Sequence, residues 1–344
     1  MLFKSSRRIL NLLSSSSSSQ ARQVPNLILG RLKHSHIGIV SAAFNKGQRR
    51  NGVKDGPTVI KEAGLIKRLQ EFDLKVIDYG TVSMEKLERN SSLQLGPDGE
   101  RHHDAVLAYN RELASLVRKV IQENGLCLTL GGDHSIAIGT INGHAQANPD
   151  HQVVVLWVDA HADINTGGSS ASGNMHGMPV SHHLRELAKD VNRLPESWPT
   201  PCMSGNHIAY IGLRDVEDCE QKFLDDLGIL AFSMKEVEKL GIFEVINQCF
   251  KHLQPSTDRP LHLSFDIDAL DPLEAPSTGT PVRGGLSLRE GVSIVEAVRE
   301  TGFLKAMDLV EVNPELGSEK DVKLTLQATK TILLAALAGR RGAF

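Results

Sequence analysis

The sequence predicts an α/β fold built on a mostly parallel sheet with helices on the outside. Two observations predict it: short apolar segments typical of strands recur along the chain, and segments with helical periodicity lie between them. This alternation requires crossover connections, which join parallel strands. Periodicity does not separate a closed β/α barrel from an open doubly wound sheet, and both place sites at the carboxyl ends of strands. Candidate strands begin near His36, Leu74, Leu126, Val153, His207, Gly228, Leu261 and Lys305.

Local signals mark the elements in turn. Pro57 begins the first helix, because proline is favoured in a helix's first turn. Apolar residues recur at helical spacing from Asp104 to Asn124, and Gly125 provides the stop. Thr329 to Ala338 indicates a terminal helix. Apolar runs typical of buried strands occupy 126–130, 153–158 and 261–265.

The composition excludes several classes of protein. A chain of 344 residues with 40% hydrophobic residues suffices for one large or two ordinary globular domains. The formal net charge of −3 gives no basic field for nucleic acid, and no apolar run reaches the roughly 20 residues that span a bilayer. We therefore expect no nucleic-acid and no membrane partner. Four cysteines without C-x-x-C spacing indicate reduced thiols in an intracellular protein: Cys127, Cys202, Cys219 and Cys249.

The N-terminal segment differs in kind from the rest of the chain. It is basic and carries an unbroken serine run from Ser14 to Ser19, and the first acidic residue is Asp55. A basic, serine-rich and acid-poor segment is typical of an organellar transit peptide. We predict that residues 1–33 direct the chain to the mitochondrial matrix; a disordered tail on a cytoplasmic protein is the alternative.

Metal-binding side chains follow three of the predicted strands. Asp159, His161 and Asp163 come directly after the apolar run at 153–158, and alternation along an extended chain lets all three point the same way. The run at 261–265 leads into Asp266 and Asp268, a second acidic pair of this kind. The run at 126–130 leads into the sequence Gly131-Gly132-Asp133-His134.

Clustered carboxylates at these strand ends would be costly to bury without a cation. Four carboxylates and two neutral imidazoles carry a formal charge of about −4, which two divalent ions would cancel. Oxygen-rich ligation without cysteine favours manganese over zinc. The sequence therefore predicts two Mn²⁺ ions per chain, bound by His134, Asp159, His161, Asp163, Asp266 and Asp268.

The same motifs resemble the three signature motifs of the ureohydrolases, a family that includes arginases and agmatinases. They are 131–134, 159–165 and 264–272, and the resemblance runs from about His36 to the C-terminus. Asn165-Thr166 followed by the loop 172–177 is most similar to the arginase branch. The resemblance implies a single-domain three-layer αβα fold over 34–344, with an open, mostly parallel sheet of about eight strands as in arginases and deacetylases. It also implies a homo-oligomer, either a trimer or a hexamer.

The implied activity is the hydrolysis of L-arginine by water to L-ornithine and urea, a step of arginine metabolism and the urea cycle. The resemblance assigns proton relay to Asp163, proton exchange with solvent to His176, and a bidentate pair with the guanidinium to Glu311. It places the α-carboxylate at Asn165 and Ser172. The remaining assignments are Glu217 to the α-amino group, Thr280 to a bound intermediate, and Asn174 and Asp215 to the substrate pocket.

Departures from the family pattern lie around this pocket. Glu217 stands where aspartate is common, Asp218-Cys219 replaces Pro-Gly, and Gly167-Gly168 enters a loop where proline is frequent. They bear on substrate affinity and on the rigidity of the loop.

Three other functions fit parts of the sequence. An agmatinase-like amidinohydrolase would act on another guanidino compound, and the loop from Asn165 to Asn174 argues against it. A non-catalytic, metal-stabilised binding subunit would not need His176 together with a complete ligand set. A deacetylase-like zinc hydrolase would not need the doubled acidic motifs.

Overall fold

Eight parallel strands form one open sheet in the computed structural model, which describes residues 36–82, 95–191 and 199–341. Each begins within two residues of its predicted position. In chain order the strands are β1 (His36–Ala42), β2 (Lys75–Thr81), β3 (Cys127–Gly131), β4 (Val154–Val158), β5 (Ile208–Leu213), β6 (Leu230–Ser233), β7 (Leu261–Asp266) and β8 (Leu304–Val310). The order across the sheet is β2-β1-β3-β8-β7-β4-β5-β6, which confirms the open sheet and excludes the barrel.

Helices cover both faces of this sheet and make three layers. The described α-helices are α1 (Gly56–Glu62), α2 (Leu65–Gln70), α3 (His103–Asn124), α4 (Ala137–Ala147), α5 (Asp218–Asp226), α6 (Met234–Leu240), α7 (Ile242–Leu253), α8 (Leu288–Thr301) and α9 (Glu319–Ala338). The first two and the last four pack on one face, and α3, α4 and α5 pack on the other. In the part of the chain that the structure describes, no helix has the length and apolarity to cross a bilayer.

The terminal helix is twice as long as predicted. It begins at Glu319 because Ser318 caps it: the Ser318 side chain accepts from the Asp321 backbone N–H, and the Asp321 carboxylate accepts from the Ser318 backbone N–H, which is a capping box. Polar residues in its first two turns hide its amphipathic pattern, so the sequence prediction began only at Thr329. The predicted transit peptide, residues 1–33, lies outside the described residues.

Alternation along the buried strands decides which side chains reach the site. In β4, Val154, Leu156 and Val158 pack toward α7, whereas Val155 and Trp157 face α4. In β7, Leu261, Leu263 and Phe265 pack on the first face, so His262, Ser264 and Asp266 share the opposite one. The polar residues of β7 and the indole of β4 therefore lie together.

The chain order places four strand ends side by side at the centre of the sheet. After β3 the chain crosses to β4 and builds the edge through β6, and β7 and β8 then fill the gap between β3 and β4. Parallel strands end at the same edge, and ligands bind where strand order reverses in open α/β sheets. The predicted metal ligands follow β3, β4 and β7 at this edge.

Candidate metal centre

The six predicted ligands meet at the carboxyl ends of the central strands. Five are buried, and the side chain of His161 is 20% exposed. Two groups of side chains have ligand atoms within 4.8 Å of one another. The first comprises His134, Asp159 and Asp163, and the second comprises Asp159, His161 and Asp268. Asp159 belongs to both, which is the arrangement of a carboxylate shared between two ions.

His134 provides the strongest indication of a cation. Its Nε2 lies 2.8 Å from Ser264 Oγ, whereas its buried Nδ1 has no hydrogen-bond partner. Three carboxylate oxygens surround that Nδ1, those of Asp159 at 3.0 Å and of Asp163 and Asp266 at 3.2 Å. If His134 is the neutral imidazole that binds a metal, its Nδ1 lone pair faces three carboxylates, which is unfavourable unless a cation lies between them. The donor set therefore fits a metal ion.

The shared carboxylate presents one oxygen to each histidine. Asp159 Oδ2 faces His134, and Oδ1 lies 3.3 Å from His161 Nδ1. Asp268 Oδ2 lies 3.4 Å from the same nitrogen of His161. Asp266 Oδ1 accepts from the Asp268 backbone N–H at 2.8 Å, which leaves Oδ2 directed at His134. The residues thus define two adjoining positions.

The electrostatics of the centre also call for positive charge. Burial, with the charges of Asp268 and Asp159, raises the pKa of Asp266 well above its usual value. Burial and Asp159 raise the pKa of Asp163 to about 6. Burial alone would lower the pKa of His134, but the surrounding carboxylates raise it well above its usual value. Divalent ions would relieve this repulsion.

Trp157 contacts two of the predicted ligands, His134 and Asp159. Its ring stacks on His134, with centroids 4.1 Å apart and an interplanar angle of 12°. Its indole Nε1 donates to Asp159 Oδ2 at 3.0 Å. Groups that hold ligands in place are as much a part of a metal site as the ligands themselves. Trp157 fixes two ligands at once.

We expect Trp157→Phe to weaken manganese binding by about 10- to 100-fold, because phenylalanine keeps a ring beside His134 but removes the donor to Asp159. Manganese titration by calorimetry measures the effect. Tyr109→Phe is the matched control, since it removes an aromatic hydroxyl's hydrogen bond outside the predicted ligand segments, from the hydroxyl to Val82 O at 3.4 Å. Equal affinities in the wild type and Trp157→Phe would show that the indole N–H is dispensable.

A cavity of about 220 Å³ opens beside the ligands, and all six predicted substrate-binding residues line it. They are Asn165, Ser172, Asn174, Asp215, Glu217 and Thr280. Asn174 Oδ1 is buried without a hydrogen-bond partner. Thr280 donates to Asp268 Oδ2 at 2.9 Å, so its hydroxyl holds a metal ligand as well as facing the cavity.

The predicted catalytic residues also lie at this edge. His176 lines the cavity, and its Nδ1 lies 3.3 Å from Glu311 Oε1. Glu311 follows β8, is 1% exposed and is not among the residues that line the cavity. Its Oε1 also accepts from the His134 backbone N–H at 2.9 Å, and its Oε2 accepts from Gln48 Nε2 at 2.6 Å. Three protein donors already occupy this carboxylate.

Two of the catalytic candidates have left-handed backbone conformations. The φ angles are +50° at Asp163 and +64° at Glu311. Such a conformation costs a non-glycine residue of the order of 1–3 kcal/mol and tends to occur at functional sites. In this conformation the Asp163 carboxylate reaches His134 from the loop after β4, and the Glu311 carboxylate reaches His176 from the end of β8.

Sequence reasoning missed two residues of the site. Glu220 lines the cavity and accepts from the backbone N–H groups of Ile164 and Glu217. Burial and Asp163 raise its pKa to about 7. The capping-box spacing of Glu217 and Glu220 is a signal that could have identified it. Gln48, in the loop after β1, has no sequence signal, because its partner Glu311 is 263 residues away.

Comparisons with known proteins found a matching family and similar proteins. The family model described as the Arginase family matches residues 35–339. Arginase-1 of Sus scrofa is 45% identical over 305 residues, which cover 88% of this chain and 93% of that protein. Mitochondrial arginase-2 of Homo sapiens is 46% identical over 319 residues, or 91% and 88% of the two chains. A crystal structure of Entamoeba histolytica arginase in complex with L-ornithine superposes with a TM-score of 0.76 and 30% identity, covering 87% of this chain and 99% of that one.

Proposed function

The chain belongs to the arginase family and hydrolyses L-arginine to L-ornithine and urea, and we propose that two manganese ions held by the six ligands serve this reaction. The observation that supports two ions is the buried Asp159 carboxylate, which presents separate oxygens to His134 and His161. The oxygen-rich donor set favours manganese over zinc. The arginine guanidinium is a delocalised cation and a poor electrophile; divalent ions held by these residues would lower the pKa of a water, which makes it a stronger nucleophile.

The cavity orients the substrate by its charged ends. We assign the α-carboxylate to Asn165 and Ser172, because they offer an amide and a hydroxyl among the residues that line the cavity. The α-amino group faces an acidic wall made by Asp215, Glu217 and Glu220. The unpartnered Oδ1 of Asn174 offers a further acceptor for a substrate N–H. These contacts point the guanidinium toward Asp163 and the metal ligands.

Two side chains handle protons in this proposal. Asp163 has its Oδ2 among the ligands and also lines the cavity, so it can pass a proton from the attacking water to the departing amine. When His176 Nδ1 donates to Glu311, its Nε2 remains available for proton exchange with solvent. Glu311 Oε2 accepts one hydrogen bond and has a lone pair left for a guanidinium N–H.

Metal loading and urea release test the proposal together. After incubation with manganese, the protein should contain about two manganese ions per chain and release urea from L-arginine. Agmatine, which lacks the α-carboxylate, should be a much poorer substrate. One tightly held zinc ion in a fully active enzyme would refute the two-manganese assignment.

Assembly and location complete the proposal. The human relative named mitochondrial arginase-2 supports import of this chain through residues 1–33, and we propose that it acts in the mitochondrial matrix as a trimer or hexamer. A fluorescent reporter fused to residues 1–33 should enter mitochondria. A reporter that stays in the cytosol would place the enzyme there.

A further inference from the structure

The side-chain amide of Asn165 is held at its oxygen end by two donors. Ser169 Oγ lies 2.8 Å from Asn165 Oδ1, and Cys219 Sγ lies 3.2 Å from the same oxygen. Asn165 is 3% exposed, and its backbone is fixed by bonds with Gly177 and Ser181. Among the described residues, none accepts a hydrogen bond from Asn165 Nδ2.

Both neighbours donate to Asn165 Oδ1. Ser169 Oγ accepts from the Thr166 backbone N–H at 2.9 Å, so its own proton is free for Asn165. The Cys219 sulfur is surrounded by oxygens: Asn165 Oδ1 is nearest, and Glu217 Oε2 and Ser169 O lie at 3.7 and 3.8 Å. Burial, with the charge of Glu217, raises the pKa of the Cys219 thiol, so it keeps the proton that it donates.

The orientation of the amide decides which ligand it can bind. With Oδ1 occupied by two donors, the NH₂ group is left to face the cavity, where it can donate to an anion. A flipped amide would present a carbonyl oxygen and repel a carboxylate. We propose that Cys219, together with Ser169, is a positioning residue that fixes Asn165 as a donor to the substrate α-carboxylate. This inference rests on the substrate orientation proposed above.

The Cys219 thiol helps to hold the loop that follows Asn165. The loop carries Gly167-Gly168: a Cβ at Gly167 would lie 2.3 Å from Glu100 Oε1, whereas a Cβ at Gly168 would meet open space, so packing restrains the loop at Gly167 but not at Gly168. Cys219 lies in the first turn of α5. In the same turn, Glu220 accepts a hydrogen bond from the Ile164 backbone N–H at 3.2 Å. The start of α5 therefore ties the loop at two points. A glycine at 219, as in the family pattern, would remove one of them.

The test compares substitutions at Cys219 by steady-state kinetics on the manganese-loaded enzyme. Cys219→Gly should raise KM for L-arginine by about three- to ten-fold with kcat nearly unchanged, because it removes one hydrogen bond to a group that touches only the α-carboxylate. Cys219→Ser restores a donor of similar size and should bring KM back to within about two-fold of the wild type.

Inhibition constants distinguish a positioning role of Cys219 from a general loosening of the pocket. The Ki of L-ornithine should rise in Cys219→Gly, whereas the Ki of 1,4-diaminobutane, the same molecule without the carboxylate, should not. Cys202→Ala is the matched control, since this half-buried thiol contacts His183 rather than the cavity. Its kinetics should match the wild type.

Three results would overturn the inference: an unchanged KM in Cys219→Gly, equal rises in both inhibition constants, or no recovery in Cys219→Ser. The melting temperature of each variant checks that the fold is intact. An outcome in which the wild type discriminates poorly between L-ornithine and 1,4-diaminobutane would instead contradict the proposed orientation of the substrate, and would remove the basis of the inference with it.

Discussion

Asp159→Asn should lose both metal ions and lower kcat/KM for L-arginine by on the order of 10³–10⁴-fold, because metal catalysis contributes several kcal/mol. Asp159 belongs to both ligand groups of the described site, and an amide has neither the charge nor the second acceptor oxygen to serve two ions. The substitution also places an N–H group against Trp157 Nε1 or the His161 backbone N–H, both of which donate to this side chain.

Asp268→Asn provides the graded comparison. Asp268 belongs to one ligand group, with His161, so this variant should retain one ion at the position built by His134, Asp159 and Asp163. Elemental analysis after gel filtration should therefore give about two, one and no manganese per chain for the wild type, Asp268→Asn and Asp159→Asn. Equal metal contents in the two variants would contradict a shared carboxylate. Circular dichroism establishes that each variant is folded.

The sequence predicted which side chains converge at the candidate metal centre, because the two-residue period of a strand indicates the direction in which each side chain points. Asp159 and His161 alternate just beyond an unmistakable buried strand, so their convergence agrees with the two-residue period, whereas Asp163 reaches the centre through a left-handed backbone conformation that this period does not predict. Ser264 and Asp266 share a face of β7 for the same reason. The resemblance favoured an open sheet, but the strand order that brings the ends of β3, β4 and β7 together was not predicted, since local periodicity carries no information on strand neighbours.

What the sequence did not identify depends on contacts between distant segments. Gln48 reaches the site because β1 lies next to β3 in the sheet, and Gly132 allows the approach: a Cβ there would lie 1.8 Å from Phe44 O in the loop after β1. No local pattern encodes that approach. The left-handed conformation of Glu311 is equally hidden, because glutamate rarely adopts it.

The three protein donors on Glu311 change the expectation for how it recognises the guanidinium. Two parallel hydrogen bonds were expected from the sequence, yet Oε1 already accepts from the His134 backbone and from His176. The His176 contact, at 3.3 Å, is the longest of the three. We propose that an incoming guanidinium uses the lone pair left on Oε2 and exchanges with His176 at Oε1, which would free His176 Nδ1 as the substrate binds.

Glu311→Gln should lower kcat/KM for L-arginine by about 10²–10⁴-fold while manganese content stays at about two per chain. The variant loses the negative charge that we propose pairs with the guanidinium, and one or two hydrogen bonds to charged groups contribute about 1.5–3 kcal/mol each. Stopped assays of urea release give the kinetic constants, and elemental analysis gives the metal content. Loss of metal in Glu311→Gln would show that Glu311 acts through the His134 backbone instead.

Gln48→Met tests whether Glu311 binds the guanidinium or mainly anchors the loop that carries Gln48. Gln48 donates to Glu311 Oε2, and the loop that carries it is held by a bond from Gly47 N to Asp133 at 2.8 Å. Methionine has a similar volume and removes the donor without altering the charge of Glu311. If Glu311 binds the guanidinium, Gln48→Met should change kcat/KM by less than about ten-fold, the worth of one neutral hydrogen bond. If Glu311 serves mainly to anchor this loop, the two variants should be impaired alike, and the guanidinium must find its carboxylate among the ligands around Asp163.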